Sequence, residues 1–223
     1  MKSAIVIMSR APKPGQTKTR LMEKLTAEEC VEFHLACLKD ICQAVSKIEA
    51  HRYIFYAGDK REFGSLELSG FVLSRQRGND LGQRLYNAAK QVLDTQNKVV
   101  FIGADMPNIS PQLLQSALLN LDDYDVVIGP ALDGGYYLLG MKYPHLELFQ
   151  NIPWGTAGVF KITLEILKSS NLSCLVLENQ RDIDTWDDLI SFYTSYDSGY
   201  DITELTAFRN AMKLIEKYGM SGY

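Results

Sequence analysis

The chain has 223 residues, of which 23 are Lys or Arg and 27 are Asp or Glu, so its formal net charge is −4. With 46% hydrophobic and 22% charged residues, it has the composition of a globular protein rather than of an intrinsically disordered one. The mild acidity argues against a general nucleic-acid-binding protein, which would carry a basic face. We therefore expect no nucleic-acid partner, although a local basic pocket stays compatible with this charge.

The cysteines and the first residues favour a cytoplasmic location. The four cysteines include no Cys-x-x-Cys pair, which favours small core residues in a reducing environment over disulfides or a zinc site. No run approaches 18 apolar residues, and the apolar start leads into Arg10 and Lys13 without a signal-peptide cleavage site. We therefore expect no membrane span and a cytoplasmic location.

Predicted strands and helices alternate along the chain. Short apolar or β-rich runs predict strands over residues 4–8, 53–57, 71–73, 98–102, 125–128, 135–141 and 172–177. Capping signals and helical periodicity predict helices beginning after Thr26, Asp80, Ser110, Thr156 (to about 168) and Thr185, and a final helix over about 203–218. Repeated strand–helix units predict an α/β fold with a mostly parallel sheet that helices cover on both faces.

The domain organisation is predicted to be simple. The sequence shows no internal repeat and no Pro/Gly/Ser-rich linker, so residues 1–223 are expected to form one domain with the final helix packed on it. Residues 195–201 are the one place for a break, and we expect a loop there.

The loop after the first strand is the first candidate site, because ligands of open α/β sheets bind at the carboxyl ends of strands. Residues 10–20 contain four cations, and Gly15 allows a ligand to approach the backbone, so the loop is predicted to cradle phosphates rather than to be a solvated basic loop. It is not a Walker A loop, because Pro12 and Thr17 stand at the glycine positions. Thr17 or Thr19 is a candidate helix cap. The predicted nucleotide- or phosphate-binding residues are Ser9, Arg10, Ala11, Pro12, Gly15, Lys18, Thr19, Arg20, Asp80 and Arg84.

Aspartates follow two other predicted strands. Asp105 comes just after the strand at 98–102, and Asp182 and Asp184 follow the strand at 172–177. Mg²⁺ and Mn²⁺ prefer such carboxylates together with phosphate oxygens. We predict Asp105 and Asp184 as metal ligands, with Asp182 as an alternative; turn or helix-capping roles are the other interpretation. The three histidines are isolated, and no nucleophilic triad emerges.

A glycine-rich segment is the candidate acceptor site. Gly134 and Gly135 allow close backbone approach, and Asp133 offers a carboxylate to sugar hydroxyls or to a second ion. Tyr136 and Trp154 are predicted to complete an acceptor- or sugar-binding wall. The alternatives are a tight hairpin turn for the glycines and a core position for Trp154.

Five motifs occur together and in order, and as a set they resemble one family. They are Ala-Pro-Lys-Pro-Gly-Gln-Thr-Lys-Thr-Arg-Leu (11–21), Gly-Ala-Asp-Met-Pro (103–107), Gly-Pro-Ala-Leu-Asp-Gly-Gly-Tyr-Tyr-Leu-Leu-Gly (129–140), Pro-Trp-Gly-Thr (153–156) and Asp-Ile-Asp-Thr-Trp-Asp-Asp-Leu (182–189). The set resembles the bacterial DUF2064 family, also labelled an arsenosugar-biosynthesis or radical-SAM/selenodomain-associated glycosyltransferase group.

The resemblance implies the GT-A, or nucleotide-diphospho-sugar transferase, fold: a three-layer α/β/α sandwich with a mixed sheet, a nucleotide-activated donor and a divalent ion. It implies that Asp105 binds the metal with Asp184 as the second acid, that residues 18–20 bind phosphate, and that residues 133–136 face the acceptor. The Gly-Ala-Asp motif departs from the Asp-x-Asp of typical glycosyltransferases. The segments 18–21 and 182–189 also resemble the guanylyltransferase that activates phospholactate.

Our main hypothesis from the sequence is a metal-dependent glycosyltransferase that uses a nucleotide-diphospho-sugar and a small-molecule acceptor. Asp105 and Asp184 would hold Mg²⁺ or Mn²⁺, Lys18 and Arg20 would bind the diphosphate, and Asp133 would act as the base. One alternative is a nucleotidyltransferase that uses an NTP and releases pyrophosphate. A second is a noncatalytic module that binds nucleotide-sugars.

Overall fold

The computed structural model describes residues 2–64, 66–195 and 202–219, so residues 196–201 of the predicted loop lie outside the described residues. Its seven strands form one sheet in the order β3-β2-β1-β4-β6-β5-β7. They are β1 (Ser3–Arg10), β2 (His51–Ala57), β3 (Val72–Arg75), β4 (Lys98–Ile102), β5 (Val126–Pro130), β6 (Tyr136–Met141) and β7 (Cys174–Val176). Only β6 runs antiparallel to its neighbours, β4 and β5.

The described part of the chain contains six α-helices. They are α1 (Ala27–Ser46), α2 (Leu81–Leu93), α3 (Pro111–Asn120), α4 (Val159–Ser169), α5 (Trp186–Thr194) and α6 (Thr206–Tyr218). Helices α1 to α4 cover the sheet, and α5 and α6 pack with α1. None of the helices in the described part of the chain is long and apolar enough to cross a membrane.

The alternation of side chains along the central strands builds two separate cores. Ile5 and Ile7 of β1 pack with α1 and α3 on one face, whereas Ala4 and Val6 pack with α2 and α4 on the other. Successive residues of a strand point to opposite faces, so a strand with no polar position is buried on both. The predicted α/β fold, a three-layer sandwich around a mostly parallel mixed sheet, is confirmed.

A third apolar cluster, the terminal cluster, packs α5 and α6 against the N-terminal part of α1. It joins the loop after β1 to α5 and α6 through Leu21, Phe33, Ile183, Trp186 and Phe208, among others. Because α1 contributes to both the sheet core and this cluster, it carries buried residues around most of its circumference. The cluster therefore fixes the loop after β1 and the segment before α5 against the same helix.

Two predicted helix starts are wrong. The helix after Thr156 begins only at Val159, because the Thr156 hydroxyl donates to the carbonyl of Pro153 (2.8 Å) and Gly158 is the N-cap residue. The final helix begins at Thr206 rather than near residue 203. The buried carboxylate of Asp40 on α1 accepts hydrogen bonds from the backbone N–H groups of Thr206 (2.9 Å) and Ala207 (2.7 Å), so a residue distant in sequence caps this helix.

Candidate active site

A cleft of about 780 Å³ opens at the carboxyl ends of β1 and β4. Three loops meet there: the loop after β1, the loop after β4 and the segment that precedes α5. The sequence-predicted residues that line the cleft are Ser9, Arg10, Gly15, Lys18, Thr19, Arg20, Arg84, Tyr136, Asp105 and Asp184. Cations and carboxylates from distant parts of the chain therefore share one concave surface.

The loop after β1 is held by Thr17. Its buried hydroxyl donates to the carbonyl of Ala11 (3.1 Å) and accepts from the N–H of Lys13 (3.1 Å). Gly15 turns the chain with a φ of 74° and has open space around it, as the predicted approach of a ligand requires. The helix that follows is a 3₁₀ turn, Thr19–Glu23, without a side-chain cap. The prediction that Thr17 or Thr19 caps a helix facing an anion is therefore wrong.

Lys18 lines the cleft, but its side chain is buried at the floor, against Asp105. Its side chain is 1% exposed, and its ammonium lies 2.5 Å from Asp105 Oδ1 and donates to the carbonyl of Ile183. Burial by itself disfavours the ammonium, but the Asp105 carboxylate outweighs it and raises the pKa of Lys18 above its ordinary value. The role of Lys18 as a phosphate ligand stays a prediction, and in this structure its ammonium is bound to Asp105 and Ile183.

Asp105 faces the cleft from its floor. Its side chain is 41% exposed, although one oxygen is paired with Lys18. Burial raises the pKa of a carboxyl, but the Lys18 ammonium more than compensates, with His34 a further contribution, and the pKa of Asp105 stays below its ordinary value. Asp105 is thus ionised and open to a ligand on one side.

Asp184 lies at the rim of the cleft, where the terminal cluster brings it. The N–H of Ile183 donates to the carbonyl of Asp105 (2.9 Å), so the two acid-bearing loops are hydrogen-bonded to each other. Thr185 and Asp188 form a capping box that starts α5 immediately after Asp184. Arg20 Nη1 lies 3.3 Å from Asp184 Oδ2, and these side chains are 64% and 35% exposed.

Several carboxylates lie close together around this rim, and Lys18 and Arg20 balance their charge only in part. Burial, and then the neighbouring carboxylate of Asp105, raise the pKa of Asp184 despite the nearby Arg20. Burial together with Asp184 and Asp133 raises the pKa of Asp182 to about 6. Neighbouring carboxylates that disfavour each other's ionisation make a site that attracts cations.

The carboxylates of Asp105 and Asp184 are the kind of ligand that a divalent ion such as Mg²⁺ or Mn²⁺ prefers. No group of three His, Cys, Asp or Glu residues in the described ranges is arranged to hold a metal by itself. Mg²⁺ and Mn²⁺ sites at phosphates commonly use only one or two carboxylates, with substrate oxygens supplying further ligands. Asp105 and Asp184 match that requirement, because both line the same cleft and each has an exposed fraction.

Several predicted residues do not line the cleft. Ala11 and Pro12 are buried at the base of the loop, where the N–H of Ala11 donates to Ala57 O (2.7 Å). Asp80 caps α2 by accepting from the N–H of Gln83 (2.8 Å). These three residues have structural roles and do not line the cleft.

The predicted acceptor wall is divided. Tyr136 lines the cleft, whereas Trp154 packs beside it with their ring centroids 6.1 Å apart, and a Cβ on Gly82 would lie 2.6 Å from Trp154 Nε1. Trp154 is half-buried and packs against α2, and its contribution to an acceptor-binding wall stays a prediction. Asp133 is exposed outside the cleft and accepts from the N–H of Gly135 (2.8 Å).

The other members of the predicted acceptor segment are also outside the cleft lining. Gly134 forms a turn with a φ of 89°, and a Cβ there would lie 2.2 Å from Ala157 O. Gly135 is half-buried in this turn, and Asp182 is half-buried in the rim segment. Asp182 does not line the cleft, but it lies close enough to Asp184 for the two carboxylates to interact.

Two residues that the sequence analysis did not select lie in the cleft. His34 Nε2 is 3.2 Å from Ser9 Oγ and 3.3 Å from Arg10 O, and burial lowers the pKa of His34 to about 4, so the ring is neutral. The amide nitrogen of Gln76 donates to Ser9 O (3.1 Å) and Phe55 O (2.8 Å), joining the ends of β1 and β2. The available signal for His34 was a polar residue on the apolar face of a predicted helix.

Comparison with known proteins defines the class. A crystal structure from Desulfovibrio desulfuricans G20, provisionally named a nucleotide-diphospho-sugar transferase, superposes with a TM-score of 0.90 at 30% identity and covers 98% of this chain and 99% of that one. The fold is that of the nucleotide-diphospho-sugar transferase class. The chain belongs to the DUF2064 family, described as an uncharacterized protein conserved in bacteria, whose model matches residues 38–156.

Two curated relatives have named activities. The 2-phospho-L-lactate guanylyltransferase of Methanocaldococcus sp. (strain FS406-22) is 30% identical over 188 residues, which are 82% of this chain and 78% of that protein. The phosphoenolpyruvate guanylyltransferase of Roseiflexus castenholzii is 31% identical over 129 residues, which are 55% of this chain and 56% of that protein. The resemblance seen in the sequence is thus confirmed at the level of family and superfamily.

Proposed function

We propose that this protein is a nucleotidyltransferase, which transfers the nucleotidyl group of an NTP to a phosphorylated small molecule and releases pyrophosphate. The observation that supports it most is the 30% identity, over 82% of the chain, to a 2-phospho-L-lactate guanylyltransferase. GTP is therefore the first donor to test. Small phosphorylated carboxylic acids, namely 2-phospho-L-lactate and phosphoenolpyruvate, are the first acceptors.

The reaction proposed is a displacement at the α-phosphorus. A phosphate oxygen of the acceptor forms the new P–O bond, the bond between the α-phosphorus and the bridging oxygen breaks, and pyrophosphate departs with the electron pair. The nucleophile is already an anion at neutral pH, so it needs no base. Catalysis then consists of positioning and of stabilising negative charge.

The chain's own residues have distinct parts in this proposal. Asp105 and Asp184 would hold Mg²⁺ or Mn²⁺, which when bound neutralises charge on the phosphates and on the departing pyrophosphate. Arg20 and Arg10 are the cleft-lining cations with exposed side chains, and they would bind phosphate oxygens by charge-assisted hydrogen bonds. Gly15 leaves the backbone of the same loop accessible to the ligand.

Glycosyl transfer from a nucleotide-diphospho-sugar is the second candidate. The similarity over nearly the full length to a structure named for that class favours it. Transfer to a hydroxyl group requires a base, for which Asp133 is the candidate. Asp133 is bound to the N–H of Gly135 and lies outside the cleft lining, so this mechanism requires a movement of the turn that the nucleotidyl mechanism does not.

One assay separates the two reactions. The protein is incubated with each NTP and either phosphorylated acceptor, with Mg²⁺, with Mn²⁺ and with EDTA, and pyrophosphate is measured; a parallel series measures NDP released from nucleotide-sugars. We expect pyrophosphate with GTP and an acceptor, and none from Asp105→Asn. Release of NDP without any pyrophosphate would overturn the proposal in favour of glycosyl transfer.

A further inference from the structure

We propose that His34 is a positioning residue, whose ring holds the end of β1 and thereby directs the guanidinium of Arg10 towards bound phosphates. The hold on the backbone follows from hydrogen bonds alone. Its consequence for phosphate binding rests on the proposed function, because it requires a polyphosphate in the cleft.

The contacts of His34 fix which of its ring nitrogens carries the hydrogen. Nε2 lies 3.3 Å from the carbonyl oxygen of Arg10, which can only accept a hydrogen bond, and 3.2 Å from Ser9 Oγ. The Ser9 hydroxyl donates its own hydrogen to the same carbonyl (2.8 Å), so it accepts from the ring. Nε2 is therefore an N–H donor that two oxygens share at the carboxyl end of β1.

Packing alone does not explain a histidine at this position. His34 is 3% exposed, and its Nδ1 is buried with no hydrogen-bond partner among the described residues. Burial lowers the pKa of His34 to about 4, and the opposed charges of Asp105 and Lys18 do not reverse this, so the ring is neutral. An apolar side chain of similar size would avoid the cost of an unpaired acceptor. The N–H of Nε2 is the feature that an apolar side chain lacks.

Two elements hold the last residues of β1. His34 approaches from α1, whereas the amide of Gln76, in the loop after β3, donates to the carbonyl of Ser9 (3.1 Å). Arg10 ends the strand, and its exposed side chain makes no hydrogen bond or ion pair with any residue that the structure describes. The direction of such a side chain depends on its backbone. The bonds to Ser9 and to the carbonyl of Arg10 therefore set where the guanidinium leaves the strand.

This hold matters for binding because Arg10 lines the cleft. A cation that is already directed at its ligand loses less conformational freedom on binding than one that is not. Loss of the N–H of His34 should therefore weaken phosphate binding, but only while Arg10 is present.

The ring is tested in the native protein without any ligand. The chain has three histidines, and labelling them with ¹⁵N gives long-range ¹H–¹⁵N spectra that distinguish the two neutral tautomers. The signals lost in His34→Gln assign His34. We expect a neutral ring with its hydrogen on Nε2 at neutral pH. A hydrogen on Nδ1 instead would overturn the proposal, because Nε2 could then not donate to the carbonyl of Arg10.

Variants test whether the N–H acts on phosphate binding. His34→Leu removes the N–H, His34→Gln retains one at a reach similar to that of Nε2, and His51→Leu, at an exposed position outside the cleft, is the matched control. The probe is inorganic tripolyphosphate, the anionic part of any NTP, and calorimetric titration with Mg²⁺ gives its Kd. We expect the Kd to rise about fivefold in His34→Leu and about tenfold in Arg10→Met. His34→Gln and His51→Leu should change it less than about twofold.

The double variant decides whether His34 acts through Arg10. If it does, His34→Leu changes the Kd of the Arg10→Met protein less than about twofold, because both changes remove one interaction. A similar loss in both backgrounds would overturn the proposal, since His34 would then act independently of Arg10. It would equally be overturned if His34→Gln bound as weakly as His34→Leu, or if the wild type did not bind tripolyphosphate.

Failure of the proposed function gives a different result. If the variants bind tripolyphosphate as expected but GTP yields no pyrophosphate with either acceptor, the proposed reaction is wrong and the role of His34 stands. Should His34→Leu fail to fold, His34→Asn replaces it in the series, because its N–H lies at the shorter reach of Nδ1.

Discussion

The floor and the rim of the cleft each carry one ion pair between the loop after β1 and a distant aspartate. At the floor, Lys18 is 1% exposed and holds Asp105; at the rim, Arg20 is 64% exposed and approaches Asp184 at 3.3 Å. An exposed pair contributes about 0–1 kcal/mol, whereas breaking a buried one costs about 3–5 kcal/mol. The buried ion pair at the floor therefore stabilises the loops of the site, whereas the exposed pair at the rim remains available to a ligand.

The largest effect is expected from breaking the floor pair. Asp105→Asn leaves the Lys18 ammonium buried without a counter-charge. We expect a loss of roughly 2–3 kcal/mol in the free energy of unfolding, somewhat below the range for a fully buried pair because Asp105 is partly open to solvent. For a chain of this size, Tm should fall by about 4–12 °C. Metal-dependent turnover should fall by at least about 100-fold.

Circular dichroism melting and the pyrophosphate assay check this prediction together. Asp184→Asn is the matched control, since it removes the carboxylate of the exposed pair. It should reduce turnover while leaving Tm nearly unchanged. Equal Tm values for the two variants would contradict the distinction between floor and rim.

A third pair tests an intermediate degree of burial. Glu29, 15% exposed, accepts hydrogen bonds from Lys217 Nζ (2.6 Å) and Tyr218 Oη (2.8 Å), and so joins α1 to α6. Burial raises the pKa of Glu29, but the bonds from Lys217 and the N–H of Thr26 outweigh it and lower the pKa to about 2. A carboxyl with a depressed pKa in the folded state stabilises the fold above its unfolded pKa, and that contribution is lost as pH falls through the folded value.

We therefore expect Glu29→Gln to lower the free energy of unfolding by about 1 kcal/mol at neutral pH. The difference from wild type should shrink as the pH falls from about 4.5 towards 2, where the native carboxyl also becomes protonated. Urea titrations of both proteins across this pH range measure it. A difference that stays constant down to pH 2 would exclude ionisation of Glu29 as its cause.

The smallest effect on stability is expected at the rim. Arg20→Met should change the free energy of unfolding by less than about 1 kcal/mol, because both partners are solvated. Its effect should appear instead in the KM for the nucleotide, which we expect to rise several-fold at low ionic strength and less at high salt. Steady-state kinetics at two salt concentrations measure this, with Lys13→Met as the control. An unchanged KM for Arg20→Met at both salt concentrations would show that Arg20 does not contact the phosphates.

Much of the architecture was predictable because it depends on local patterns. Apolar runs located the strands, and the signals at Thr26, Asp80, Ser110 and Thr185 located four helix starts that the structure confirms. Thr156 misled because its hydroxyl serves the carbonyl of Pro153, a contact that depends on the turn rather than on the pattern.

The sequence predicted which residues meet at the site, but not how their side chains are directed. The rule that ligands bind at carboxyl ends of strands correctly placed Asp105, Asp184 and the basic loop together. It did not reveal that the side chain of Lys18 is buried at the floor of the cleft, because that depends on a left-handed backbone conformation and on a carbonyl from 165 residues further along the chain. His34 was missed for a related reason: its partners, Ser9 and Arg10, come close only after α1 docks on the sheet.

The terminal cluster gives this protein a built-in optical reporter. Trp186 is 7% exposed, follows Asp184 by two residues and meets Tyr218 edge-on, with ring centroids 6.2 Å apart. A shift of the rim segment changes the surroundings of this indole, whereas Trp154, the second tryptophan of the chain, packs beside Tyr136 and outside the terminal cluster. Replacing Trp154 by Phe would leave a single emitter, whose spectrum follows events at the rim without any attached dye.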